Sequence, residues 1–236
     1  MNKIFTFFLL MICTISSYSQ SLKKQYQEQA SQHFYKEEFK QSLDCYTKII
    51  QLYPNDSSAY NLRGQLYELL HDYKNAILDY SKEIAIDTTF ADSYFFRAMV
   101  KEKIKDHKGA ILDYTKTIKY EPNNSDAYYF RGLNKVALKN YVGVMDDYAN
   151  AIKIRPDHAE VYADRALLKI KLKKYKEAMN DFDKAIELSD TNAEFYLRRG
   201  KLKLKIGQQQ SACEDFKKCC KIDSNFKSKL PNINCN

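Results

Sequence analysis

The sequence predicts an all-α protein, an α-solenoid of six helix-turn-helix units, and three observations carry that prediction. Residues 23 to 226 fall into six rows of 34 with the same residue types in register and no insertion. Each row holds two stretches with apolar residues at helical spacing. Only six Gly and four Pro occur in 236 residues, too few for the tight turns of an all-β architecture. With 29% charged and 44% hydrophobic residues, the composition is that of a globular chain that buries a core. Neither GxGxxG nor GxxxxGK(S/T) occurs, which disfavours a nucleotide-binding α/β enzyme.

The first element is residues 1–19. Lys3 supplies a positive start, Ile4 to Ile15 a nearly continuous apolar run, and Ser16, Ser17, Tyr18 and Ser19 a small-residue exit. That order reads as a secretory signal peptide cleaved before Gln20. The competing reading is an uncleaved anchor or a buried first helix. Lipidation at Cys13 fits poorly, because Ile12 stands where a lipoprotein box carries Gly or Ala. A twelve-residue run falls short of the about 20 residues that span a bilayer, so no transmembrane span is expected after cleavage. The expected address is exported: periplasmic, cell-envelope or secreted. Removal of Lys3 takes the formal charge from +8 to +7.

The rows follow as 23–56, 57–90, 91–124, 125–158, 159–192 and 193–226, a domain over 20–226 with a tail at 227–236. The first helix of each row carries Tyr26, Tyr60, Tyr94, Tyr128, Tyr162 or Tyr196. Four places on stands a small residue, Ala30, Gly64, Ala98, Gly132, Ala166 or Gly200, which lets two helices approach closely. The second helix carries a mostly small residue (Ser42, Ala76, Ala110, Val144, Ala178, Ala212) and then an aromatic (Tyr46, Tyr80, Tyr114, Tyr148, Phe182, Phe216). Short polar turns such as His71-Asp72 and Lys139-Asn140 separate the two helices. Pro54, Pro122 and Pro156 close three rows, where a missing backbone donor ends the second helix.

This pattern resembles the tetratricopeptide repeat family, whose unit has a 34-residue period, and here it covers 204 of 236 residues. Tyr replaces the family's frequent Trp, and Arg replaces its usual Leu before the small residue. The first row (Gln29, Cys45) and the last (Gln209, Cys220) are the least regular, as terminal units often are. The resemblance implies a right-handed superhelix with a concave groove, no cofactor, and a protein or peptide partner. In the family the first helix contacts its ligand from the second, fifth, ninth, twelfth and thirteenth positions. Carried over, these are Asp92, Phe95 and Met99 in the third row and Asp126, Tyr129, Leu133 and Val136 in the fourth. Inter-helix packing is the competing role for these side chains. The Lys and Asn clamp that some members use on a C-terminal carboxylate is not reproduced, since the fifth and ninth positions read Asn61 and Gln65, Phe95 and Met99, Tyr129 and Leu133.

Two charged columns recur at the period. Arg63, Arg97, Arg131, Arg165 and Arg199 stand sixteen residues before Asp79, Asp113, Asp147, Asp181 and Asp215. They are expected to form a ladder of partly buried ion pairs, guanidinium fork to carboxylate. The alternative is a solvated face. Lys101, Lys135, Lys169 and Lys203, one turn after the Arg, are expected to be solvated, with their stems along the helix.

Charge is uneven along the chain. Residues 1–124 carry 16 basic and 15 acidic side chains, residues 125–236 carry 22 and 15. The alternative function is therefore an envelope adaptor that holds an anionic polymer or membrane through the basic second half. A nucleic-acid partner is not expected of an exported chain.

Five cysteines remain after cleavage, and the tail is expected to fold back so that Cys235 bonds Cys219 or Cys220. No metal site is expected, because C-x5-C-C-x14-C lacks paired CxxC spacing. No catalytic residue is expected either. His33, His71, His107 and His158 occupy unrelated columns, and GxSxG is missing.

Overall fold

A computed structural model describes residues 2–231 and 235, with residues 2–17 described in backbone alone. All described regular structure is helical. The chain forms two compact units, Met1–Pro122 and Asn123–Asn236. The first contains α1 (Asn2–Tyr35), α2 (Phe39–Leu52), α3 (Ser57–Leu69), α4 (Tyr73–Ile86), α5 (Ala91–Lys103) and α6 (His107–Tyr120). The second contains α7 (Ser125–Ala137), α8 (Val144–Ile154), α9 (Ala159–Lys171), α10 (Tyr175–Leu188), α11 (Ala193–Lys205) and α12 (Gln209–Ile222), followed by a 3-10 turn over Ser224–Lys229. Within each unit every repeat is a helical hairpin, an odd-numbered helix packed on the even-numbered one after it.

The small and aromatic columns explain the hairpin contact. Tyr80, Tyr114, Tyr148, Phe182 and Phe216 are essentially fully buried. A Cβ placed on Gly132 would lie 2.7 Å from Tyr148 Cε1, and one on Gly200 2.5 Å from Phe216 Cε1. The ring of the second helix thus occupies the space that a side chain on the first would need.

Turn chemistry recurs as strictly. The residue closing each first helix takes a positive φ: Glu37, His71, Lys105, Lys139 and Lys173 at 57° to 62°, and Gly207 at 84°. In the α3–α4 turn the Asp72 N–H donates to Tyr67 O at 2.8 Å and the His71 N–H to Glu68 O at 3.0 Å, which satisfies two carbonyls left orphaned by the helix end. Asp72 and Asp106 then cap α4 and α6 by accepting from the N–H of Asn75 and of Gly109. Repeat four departs from this pattern. Gly143 at φ 70° displaces the start of α8, which begins three residues later in its row than α4, α6, α10 and α12.

The predicted signal segment runs as helix into α1. Its Met1 and the side chains of residues 1–17, Cys13 among them, lie outside the described residues. No helix among the described residues is long and apolar enough to cross a membrane.

The tail folds back as expected, but the disulfide differs. Cys235 bonds Cys213, with Cα atoms 5.4 Å apart, and Cys219 and Cys220 are free thiols. Cys219 is fully buried in the core of this unit, on another face of α12 from Cys213. Cys220 shares the face of Cys213 but lies two turns on, about 10 Å, close to where the tail departs. Cys213 stands in the second turn of α12, and the bond to Cys235 brings the tail back to that turn. Phe226, Leu230 and Cys235 pack against the same core.

Candidate functional site

The five Arg and Asp columns meet pair by pair. Arg63 donates to Asp79 from Nε and Nη2 at 2.7 Å each, Arg97 to Asp113 at 2.8 and 2.7 Å, and Arg165 to Asp181 at 2.9 and 2.7 Å. Arg131 with Asp147 and Arg199 with Asp215 use the same fork. The carboxylates are buried, Asp147 at 3% side-chain exposure. The bonds to Asp79, opposed by burial, raise the Arg63 guanidinium above its ordinary value.

The lysine column is not solvated, which corrects the expectation above. Lys101, Lys135, Lys169 and Lys203 each place Nζ 2.7 to 2.9 Å from the same Asp that the Arg engages. The physical reason is capacity. An ionised carboxylate has about four lone-pair sites, the Arg fork fills two, and a second cation one helical turn away satisfies the rest of a buried anion. In the second repeat Tyr67 holds the lysine position, and its ring lies under the Arg63 guanidinium instead.

Several of the same arginines also tie adjacent repeats. Nη1 of Arg63 reaches Thr47 Oγ1 at 3.0 Å, that of Arg97 reaches Ser81 Oγ at 2.9 Å, and that of Arg199 reaches Asp183 at 2.7 Å. Each acceptor stands sixteen residues back, on the second helix of the preceding repeat. The network is consumed by stacking and leaves little to offer a ligand.

The ligand-facing positions divide between the units. In the first unit α5 leaves Asp92 exposed and Phe95 and Met99 half-buried. Phe95 packs edge-on against Tyr114 with centroids 5.6 Å apart. A recess in the same unit lies between α1 and α3. It is a cavity of about 420 Å³ lined by Ser31, Phe34, Tyr35, Tyr46, Leu62, Gln65, Leu66 and Leu69. Ser31, Phe34 and Tyr35 are the ninth, twelfth and thirteenth positions of the first row, and Gln65 and Leu69 the ninth and thirteenth of the second. Tyr35 is 86% exposed and Leu69 48%, so the rim is open and apolar. Ligand pockets of this size are common, and a mostly apolar lining with a few polar groups is their usual chemistry. Ser31, Phe34, Tyr35, Gln65 and Leu69 hold family ligand positions of rows one and two and lie outside the set carried over from rows three and four.

Deeper in the same unit, Gln65 donates to Asn61 and Asn61 to Glu83 at 2.6 and 2.9 Å. Burial raises the Glu83 carboxyl above its ordinary value, opposed by the Asn61 bond.

In the second unit the α7 positions are largely spoken for. Tyr129 is buried at 9% exposure, its hydroxyl donates to Asp164 at 2.8 Å, and its ring packs on His158 at 5.0 Å. It therefore supports the surface from beneath rather than presenting a face to a ligand, because the neighbouring repeat supplies a hydrogen-bond partner and a ring wall. Leu133 and Val136 are half-buried in the same apolar cluster. Asp126 pairs with Arg155, which also contacts His158. Burial, with the adjacent Arg155 cation, lowers the His158 imidazole below its ordinary value. Arg198 bridges Asp164 and Glu194.

Two family models, both described as tetratricopeptide repeat, match residues 45–77 and residues 91–124, 159–192 and 193–226. Together they cover more than half of the sequence. No curated protein matches the chain. Among solved structures, one reported as YrrB, a TPR protein with an unusual peptide-binding site, is 19% identical at a TM-score of 0.65, over 78% of this chain and 98% of that one. Pseudomonas aeruginosa pilF superposes at a TM-score of 0.71 with 15% identity, over 89% and 99%. A MamA RS-1 double mutant gives 0.68 with 18% identity, over 72% and 96%. At such identities the likeness is one of fold.

Proposed function

We propose, from the premise that this chain belongs to the tetratricopeptide-repeat family, that it is an exported, non-catalytic scaffold that binds a peptide or protein segment. The observation that carries this reading is the open apolar cavity between α1 and α3, at family ligand positions of two consecutive repeats. Its lining offers hydrophobic walls from Phe34, Leu62, Leu66 and Leu69, and polar fixing points at Ser31 and Gln65. An apolar side chain of an extended or helical segment would gain by leaving water there, and a backbone amide would find the exposed Gln65 carboxamide oxygen. The peptide-binding site named for YrrB agrees in kind with this reading. Export rests on the sequence of residues 1–19.

The test is an affinity capture from an envelope fraction with the full chain, run beside a Tyr35→Ser/Leu69→Ser variant. Both side chains are well exposed, so the variant should fold as the parent does. Partners lost with the variant place binding in the cavity. Partners retained by it, with an unchanged melting curve, would remove the cavity from the function.

A further inference from the structure

The first-to-second-helix turns of the second unit span residues 137–143, 171–177 and 205–211, and they differ in charge from the matching turns of the first unit. Residues 35–41, 69–75 and 103–109 carry six Lys against four acids, Glu37, Glu38, Asp72 and Asp106. The three turns of the second unit also carry six Lys, namely Lys139, Lys171, Lys173, Lys174, Lys176 and Lys205, against Glu177 alone. What has changed is the acid that precedes the second helix. Glu38, Asp72 and Asp106 give way to Asn140, Lys174 and Gln208. Asp72 and Asp106 cap their helices by side-chain hydrogen bonds, whereas α8, α10 and α12, like α2 after Glu38, have no side-chain cap. The Asn140 side chain instead accepts from the Val142 N–H within its turn at 3.3 Å, and the three replacements together leave these turns with a larger excess of positive charge.

The same three turns expose aliphatic tips. Val142 is 81% exposed, Leu172 52%, Leu138 39% and Ile206 36%. Neighbouring turns are joined side by side. Lys171 donates to the Tyr141 hydroxyl at 2.7 Å while lying 4.6 Å over its ring, and Lys205 lies 5.4 Å over the Tyr175 ring. Lys139, Lys173, Lys176 and Lys205 have no carboxylate partner among the described residues.

We propose that this edge docks on an anionic lipid surface, with Val142 and Leu172 entering the headgroup and upper acyl region and the lysines contacting headgroup phosphates. Lysines that can extend away from an apolar tip, with Tyr rings between them, suit a boundary that is charged outside and apolar within. A soluble polyanion would use the lysines and leave the aliphatic tips in water. An acidic protein surface would favour Arg and a concave, aromatic contact, and these turns contain no Arg.

The chain has no Trp, so Val142→Trp in the full chain is a single reporter, with Leu78→Trp, 53% exposed in the first unit, as the matched control. Vesicles of phosphatidylcholine with about 30 mol% phosphatidylglycerol should blue-shift emission from Val142→Trp but not from Leu78→Trp, and pure phosphatidylcholine should shift neither. Replacing Lys139, Lys173 and Lys176 by Gln should lower partitioning onto the anionic vesicles on the order of 100-fold, because each surface lysine contributes about 1 kcal/mol. Any adsorption through Ile4 to Ile15 is common to all variants and appears equally on neutral vesicles. An unshifted Val142→Trp, equal shifts at both reporters, or dextran sulfate binding without a vesicle-induced shift would each overturn the proposal.

Discussion

Lys135 Nζ donates to Asp147 Oδ2 at 2.7 Å, on the oxygen that Arg131 Nε also engages at 3.2 Å. One buried carboxylate thus holds two cations from successive turns of α7. Removing the anion leaves two cations facing each other, whereas removing either cation leaves the anion paired. Asp147→Ala should therefore cost about 3 to 5 kcal/mol and Lys135→Met much less. A double-mutant cycle on Arg131 and Asp147 in chemical denaturation should return a coupling above about 1 kcal/mol. Coupling within noise of zero would mean that the pairs are ornamental.

The left-handed turn position offers a test of opposite sign. Lys105 sits at φ 62° with a side chain that this region disfavours. Lys105→Gly should stabilise the chain by about 1 kcal/mol, and Gly207→Ala should destabilise it by a similar amount. Melting temperatures of the two variants must move apart; a common direction refutes the argument from backbone strain.

Glu83 gives a pH dependence. Burial raises its carboxyl above 4.5 in the folded chain, so the folded state binds more protons than the unfolded one from about that pH upward. Stability from this group therefore falls as pH rises through the window. Glu83→Gln keeps an acceptor for Asn61 and should raise the melting temperature at about pH 8, with the gain vanishing near pH 4. An equal gain at both pH values would assign the effect to packing.

The tail disulfide closes a loop between residues 213 and 235. Cys235→Ser should lower stability by about 3 kcal/mol. Non-reducing peptide mapping should recover the Cys213 and Cys235 peptides joined. Alkylation should be faster at the half-buried Cys220 than at Cys219, whose thiol burial pushes up to about 11.

Tyr129→Phe separates support from recognition. It removes a hydroxyl that donates to Asp164, so about 1 to 2 kcal/mol of stability should be lost. Partner capture through the α1/α3 cavity should be unchanged, and its loss would return Tyr129 to the binding surface.

The repeat pattern by itself determined the helical hairpins, because a 34-residue period places small and aromatic side chains where only close helix packing can use them. It also placed the Arg and Asp columns sixteen residues apart, a separation that a hairpin of this length brings face to face. The tertiary structure alone decided three things. It gave Lys101, Lys135, Lys169 and Lys203 to the carboxylates, since charge capacity depends on which groups share a buried space and not on spacing. It chose Cys213 over Cys219 and Cys220 for Cys235, since pairing depends on where Phe226, Leu230 and Cys235 pack against the core and not on spacing. It buried Tyr129 and opened the recess beside Tyr35, since exposure at equivalent repeat positions depends on what the neighbouring repeat lays over them. A column in a sequence records what recurs, and a binding surface lies where the recurring neighbours leave room.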